Sequence, residues 1–220
     1  MMLNIEKKQI AYNCVKRTSK IKYIVIHDTQ NKSKGANADS HFKYFNGGNR
    51  NSSADFFVDD TKILQVNDYT KVCTWQVGDG KGKYGITNQN SVGVEICVNA
   101  DGDYEKAVAN AVEFVKYLMK ELNIPDERVV RHYDASRKNC PASMSANDWL
   151  LWQEFKEKIM KKECKFCDID NSYAKKDIEE LFEMGIVNGV TEDRFMPTEP
   201  ITREAMARIA RNVVRYITGK

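Results

Sequence analysis

Lys22-Tyr23-Ile24-Val25-Ile26-His27 is a β-branched run flanked by polar residues, the pattern of a short buried strand with an imidazole at its end. Outward from it, Ala38, Phe42 and Phe45 recur at helical spacing before the stop signal Gly47-Gly48, so an amphipathic helix is predicted to follow the strand. Segments 54–58 and 63–66 are strand-like and joined across Asp59, Asp60 and Thr61, which predicts a hairpin. A further strand is read from Val92 to Val98, with one carboxylate, Glu95, inside an otherwise apolar run. From Asp103 to Leu122 the residues Ala107, Ala111, Phe114, Val115 and Leu118 fall on one face, a long core helix that stops before Pro125. Arg128 to His132 reads as one more short strand, and again a histidine closes it.

The chain holds three histidines, and His27 and His132 both stand at predicted strand ends, where sheets present functional side chains. Together with Cys140 they form a borderline-soft donor set suited to Zn²⁺. Three protein ligands leave a fourth position for water, which is the catalytic rather than the structural pattern. Spacing alone leaves a rival reading open, two hydrogen-bonded and partly buried histidines with no metal. His41, inside the helix after the first strand, reads as structural.

The 34 basic and 31 acidic side chains are too nearly balanced for a nucleic-acid binder without a localised patch. No segment approaches the roughly 20 apolar residues of a membrane span, and residues 1–14 lack an apolar stretch of signal-peptide length. Synthesis in a reducing cytoplasm, with the six cysteines as free thiols, is therefore expected. The Cys164/Cys167 pair has C-x-x-C spacing without a second such pair, and reads as adventitious. Residues 1–160 form the expected main domain, the lysine-rich stretch 161–165 a linker, and 166–220 a small helical module. That module has two helical segments, 174–184 and 202–217, a marginal core expected to pack on the main domain or on copies of itself.

Three motifs in chain order carry a resemblance: residues 24–29 (IVIHDT), 91–107 (SVGVEICVNADGDYEKA) and 129–141 (VVRHYDASRKNCP). They resemble the zinc N-acetylmuramoyl-L-alanine amidases of the type-2 family, which includes many phage endolysins and is related to the peptidoglycan recognition proteins. The resemblance implies an α/β fold with a central mixed β-sheet flanked by helices and a zinc site at one face. It implies one Zn²⁺ per chain on His27, His132 and Cys140, with Glu95 as the proton carrier and Lys138 as the stabiliser of the oxyanion. Trp75 is a candidate for the substrate groove. Two stretches depart from the family pattern. The segment Ser53-Ala54-Asp55 lacks an expected aromatic-histidine pair, and Gln76, in Trp75-Gln76-Val77-Gly78-Asp79-Gly80, stands where close relatives have histidine. These departures bear on fine specificity and leave the metal set intact.

Phe166-Cys167-Asp168-Ile169, Met184 to Gly189, Arg194 to Pro197 and Ile201-Thr202-Arg203-Glu204 resemble one S-layer homology motif, which implies binding to a secondary polymer of Gram-positive walls. Arg203 is its expected polymer contact, and assembly of several chains through this module is a second expectation. The implied activity is a peptidoglycan hydrolase cleaving between N-acetylmuramic acid and L-alanine, with no nucleic-acid partner and no membrane insertion. Implied too is a phage endolysin that accumulates in the host cytoplasm and reaches the wall after holin-type release. Two rivals stand beside it: a non-catalytic peptidoglycan-binding protein, and a cysteine hydrolase with Cys140 as nucleophile and His132 as base.

Overall fold

The computed structural model describes residues 5–160, 164 and 166–219, and divides into two compact units, Met1–Met160 and Lys161–Lys220. Residues 161–163 and 165 of the lysine-rich stretch lie outside the described residues. In the first unit the elements run β1 (Ile5–Lys7), β2 (Cys14–Lys16), β3 (Tyr23–Asp28), α1 (Ala38–Asn46), β4 (Phe56–Val58), β5 (Ile63–Gln65) and β6 (Val72–Thr74). They continue through β7 (Ser91–Ile96), α2 (Tyr104–Leu122), β8 (Val129–Arg131), α3 (His132–Ser136) and α4 (Ala146–Met160). The expected α/β class is the one observed.

Six strands form a mixed sheet in the order β1-β5-β4-β7-β3-β8, and β2 pairs with β6 as a separate antiparallel ribbon. The β4–β5 pair is antiparallel, the hairpin expected across Asp59 to Thr61, whereas β4, β7, β3 and β8 run parallel. Central parallel strands are covered on both faces, which explains why β3 and β7 are apolar almost throughout. Alternation then sorts their side chains. Ile24, Ile26, Val92, Val94 and Ile96 join Ala111, Phe114, Val115 and Leu118 of α2 in the main core. Val25 and His27 face the other way, and their register partners Gly93 and Glu95 share that second face. A shift of one residue in the β3–β7 register would bury His27 under α2.

Helix α2 starts where the Asp103 carboxylate accepts from the Lys106 backbone N–H, and stops at Asn123, in the left-handed region at φ 51°. One sequence expectation is corrected here: His132 does not close the strand but is the first residue of α3. The strand β8 is only three residues long because the chain turns into a helix at once, and that turn sets the histidine inward.

Asp55, one of the departures from the family pattern, is fully buried. Its carboxylate accepts from the Gly93 backbone N–H at 2.8 Å and from the Asn67 amide at 2.7 Å, pinning the start of β4 and the loop after β5 to β7. Asp55→Ala leaves both donors buried without an acceptor, so a loss of about 3 kcal/mol or more is expected in chemical denaturation.

The second unit holds α5 (Lys175–Glu183) and α6 (Arg203–Thr218). Phe166, Ile169 and Ile178 form its core, with Phe182 and Phe195 packed against them. The Asp168 carboxylate ties the returning chain by accepting from the backbone N–H groups of Phe195 and Met196. Met206, Val214, Tyr216 and Ile217 of α6 are exposed, as is Arg203 in its first turn. No described helix is long and apolar enough to cross a membrane.

Candidate metal centre

His27 lies near the end of β3, His132 opens α3, and Cys140 follows in the loop that returns from α3. All three are buried, at 2%, 4% and 2% exposure, so water contributes little to holding them in place. A backbone bond from the Tyr133 N–H to the Cys140 carbonyl, at 3.0 Å, closes this loop and brings the sulfur back beside the first turn of α3. One ligand atom from each residue lies within 4.8 Å of the others. The ring centroids of His27 and His132 are 4.7 Å apart, and the Cys140 sulfur is 3.8 Å from His27 Nδ1.

Whether the set fits a metal ion is tested by the imidazole nitrogens. His132 Nε2 is 2.8 Å from the Asp79 carboxylate, which only accepts, so that nitrogen carries the proton and Nδ1 offers a lone pair. That Nδ1 is buried and has no hydrogen-bond partner. His27 Nε2 is 2.9 Å from Gln76 Oε1, and the direction of this contact is fixed from a distance. The Thr87 carbonyl takes the Ser91 hydroxyl proton at 2.6 Å, so Ser91 Oγ accepts from the Gln76 amide nitrogen at 3.2 Å and the amide oxygen faces His27. His27 therefore also carries its proton on Nε2. Two Nδ1 lone pairs and one thiol then converge on one point, a donor set that fits a tetrahedral zinc-type site with an open fourth position.

The electrostatics agree. Burial, and then the neighbouring His132, hold His27 well below the ordinary imidazole range. Burial also lowers His132, against the opposing pull of Asp79. Both rings are thus neutral at pH 7, as metal ligands must be. Burial, and then Glu95, push the Cys140 thiol up, so the sulfur becomes a thiolate only with a cation beside it.

Glu95 Oε1 lies 3.9 Å from His27 Nδ1, a contact that is no ion pair because the ring is neutral. Burial pushes the Glu95 carboxyl up to about 8, Asp28 adds to the rise and Lys138 opposes it. Its Oε2 is buried with no partner. Lys138 is exposed on the loop just before Cys140. Trp75 is partly buried, with its backbone paired to Ser53, and does not line the cavity beside Glu95. Arg203 belongs to the second unit.

The three ligand candidates are legible in the sequence, and the residues that orient them are not. Gln76, which departs from a family histidine, supports His27, and Asp79 in the same stretch supports His132. Gly93 is part of this arrangement: a Cβ there would lie 2.2 Å from Gln76 Oε1. Both Gln76→Leu and Gly93→Ala are expected to weaken metal binding about 10- to 100-fold, measured by competition for zinc with a chromophoric chelator.

A mixed sheet that brings two histidines and a cysteine together beside a partly buried carboxylate defines an α/β protein built round a group of three side chains that could hold a metal ion. The chain belongs to the N-acetylmuramoyl-L-alanine amidase family, whose model matches residues 17–143, and residues 165–207 match the S-layer homology domain. It is 45% identical over 122 residues to the amidase CwlH of Bacillus subtilis, covering 56% of this chain and 48% of that protein. It is 41% identical over 140 residues to the amidase XlyA of the same organism, covering 62% of this chain and 43% of that protein. The chain thus spans just under half the length of these curated relatives. A solved structure of a mutant endolysin from Bacillus subtilis superposes with TM-score 0.65 at 40% identity, covering 72% of this chain and 99% of that one.

Proposed function

We propose that the protein is a zinc-dependent peptidoglycan amidase that cleaves the bond between the lactyl group of N-acetylmuramic acid and L-alanine of the stem peptide. The observation that carries this reading is the convergence of His27, His132 and Cys140 within 4.8 Å, with the Glu95 carboxylate 3.9 Å from His27. Zinc bound there supplies Lewis acidity towards water and the amide carbonyl, and a positive charge that keeps Glu95 ionised. Glu95 takes the proton of the attacking water and returns it to the departing amine nitrogen. Lys138 offers its ammonium to the carbonyl oxygen as that atom becomes negative. Asp79 and Gln76 keep both imidazoles in the tautomer that leaves Nδ1 free.

The second unit, by its match to the S-layer homology domain, directs the enzyme to a secondary polymer of Gram-positive walls, with Arg203 as a polymer contact. The exposed apolar residues of α6 support self-association through that unit. Similarity to an endolysin supports a bacteriophage lytic role, with the protein made in the host cytoplasm and acting on the wall after holin-type release. Against the cysteine-hydrolase reading stands the burial of Cys140, which keeps its thiol protonated in the absence of a cation.

Digestion of purified Gram-positive walls tests the reading. New amino termini on L-alanine without new reducing ends, abolished by a chelator and restored by zinc, are expected. Free muramoyl reducing ends without new L-alanine termini would refute it, and wall binding with no soluble product would establish a non-catalytic binder.

A further inference from the structure

The segment 78–85 packs closely on α3 and the loop that follows it: a Cβ on Gly80 would lie 2.2 Å from the Ala135 carbonyl oxygen. The Lys83 N–H donates to the Gly80 carbonyl at 2.9 Å and the Gly85 N–H to the Gly82 carbonyl at 3.0 Å, so consecutive turns give this segment a fixed course. The junction carries Lys81 and Lys83 from one segment and Arg137 and Lys138 from the other, all four exposed. Tyr84 joins them. Its ring centroid is 4.1 Å from the Arg137 guanidinium carbon and 5.5 Å from the Lys83 ammonium. Arg137 also lies 5.1 Å from the Tyr133 ring and donates to the Tyr133 carbonyl. The charge of Lys138 is felt at His27, His132 and Glu95, which sets this end of the patch at the rim of the candidate metal centre.

Four cations gathered at one junction repel one another unless anions lie among them. The two carboxylates at hand are engaged elsewhere. Asp79 meets His132 Nε2 at 2.8 Å, and Asp134 accepts from Arg131 Nε at 3.0 Å and from Arg131 Nη2 at 2.8 Å. Among the described residues no ion pair joins Lys81, Lys83, Arg137 or Lys138 to an acid. The Tyr84 ring holds two of the cationic heads in place without neutralising them. With Tyr84 36% exposed, the patch faces solvent, and an open row of charges acts through its summed field on a chain of repeated anions more than on one small anion. A guanidinium matches the oxygens of a phosphate with paired N–H groups, and the ammonium groups add point charges beside it. The ring face between them suits the carbon skeleton that separates successive phosphates.

We propose that this junction is a docking surface for a phosphodiester polymer of the cell wall, with Lys81, Lys83 and Arg137 on its phosphates and Tyr84 against the carbons between them. It lies in the first unit, whereas Arg203 belongs to the second. The choice of a wall polymer among polyanions rests on the amidase reading, because a polymer borne by the wall stands close to the bond that the neighbouring centre cleaves.

Cosedimentation on ice tests the assignment, using the zinc-loaded full chain, purified Gram-positive walls, and the same walls stripped of phosphodiester polymers by cold hydrofluoric acid. Lys83→Glu reverses one charge, and Arg137→Asn removes another with a residue that accepts the left-handed backbone at φ 72°. On untreated walls in about 50 mM salt, each variant should bind about threefold more weakly and the double variant about tenfold. The deficit should close near 0.5 M salt, where the Debye length falls to about 4 Å. On stripped walls the variants and the wild type should bind alike, and cleavage of soluble N-acetylmuramoyl-L-alanyl-D-isoglutamine should be unchanged. Lys83→Glu carries the test if Arg137→Asn does not fold. Equal binding of wild type and double variant to untreated walls overturns the assignment. So does a deficit that persists on stripped walls, which gives the patch to peptide carboxylates, or a fall in cleavage of the soluble compound, which puts it in the reaction. A wild type that shows the expected binding yet cleaves neither walls nor the soluble compound overturns the amidase reading and leaves the docking surface standing.

Discussion

Cys140→Ser should yield a folded protein that no longer holds zinc and no longer clears walls. The hydroxyl replaces a thiolate ligand with a far poorer one, and two neutral imidazoles are left to bind the ion. A metal that binds only the folded state stabilises it by mass action, by about 2.7 kcal/mol when its concentration is 100 times Kd. The wild type should therefore unfold at a lower temperature in chelator than in zinc, while the variant should unfold at one temperature in both. Metal content by mass spectrometry and turbidity loss of purified walls complete the measurement. Lysis by a metal-free wild type would sink the zinc mechanism and make Cys140 a nucleophile.

Glu95→Gln separates proton transfer from metal binding. Glutamine keeps the size of the side chain and removes its ability to take a proton, so zinc should remain at one per chain while cleavage falls about 10²- to 10⁴-fold. The fold should not suffer. In the metal-free chain Oε2 is buried without a partner, and burial, reinforced by Asp28, pushes the carboxyl up to about 8, so at pH 7 the group must take up a proton on folding, at a cost to stability. A neutral amide removes that cost, and the metal-free variant should unfold no more readily than the wild type. Retained activity with Glu95→Gln would pass the proton-carrier role to another group.

The pair of results also discriminates between the two roles. Loss of metal with loss of activity in Cys140→Ser, set against loss of activity with full metal in Glu95→Gln, is the pattern of a ligand and a proton carrier. A structural role for both residues would lower stability in both variants and leave metal content tied to folding.

The residues readable without a structure are those whose signal is local. The strand β3, the apolar run of β7 and the α2 stripe show because alternation, β-branching and helical spacing act over a few neighbouring positions. The names of His27, His132 and Cys140 were also legible, through short motifs at strand ends. Strands β1, β2 and β6 were not, since their pairing with distant segments defines them. His132 was misread as a strand end because the same short run is compatible with a strand that turns into a helix.

The supporting residues depended wholly on packing. Nothing near position 76 announces that a glutamine amide will be oriented by Ser91 and Thr87, or that Gly93 on a neighbouring strand leaves room for it. Asp79 meets His132 across 53 residues of sequence, and Arg137 reaches the Tyr84 ring between the same two segments. Local patterns specify which segments become strands and helices and which side chains carry reactive chemistry. Tautomers, orphaned atoms and charged patches arise from contacts between segments far apart in the chain, and those exist only after the sheet has assembled in its order and register.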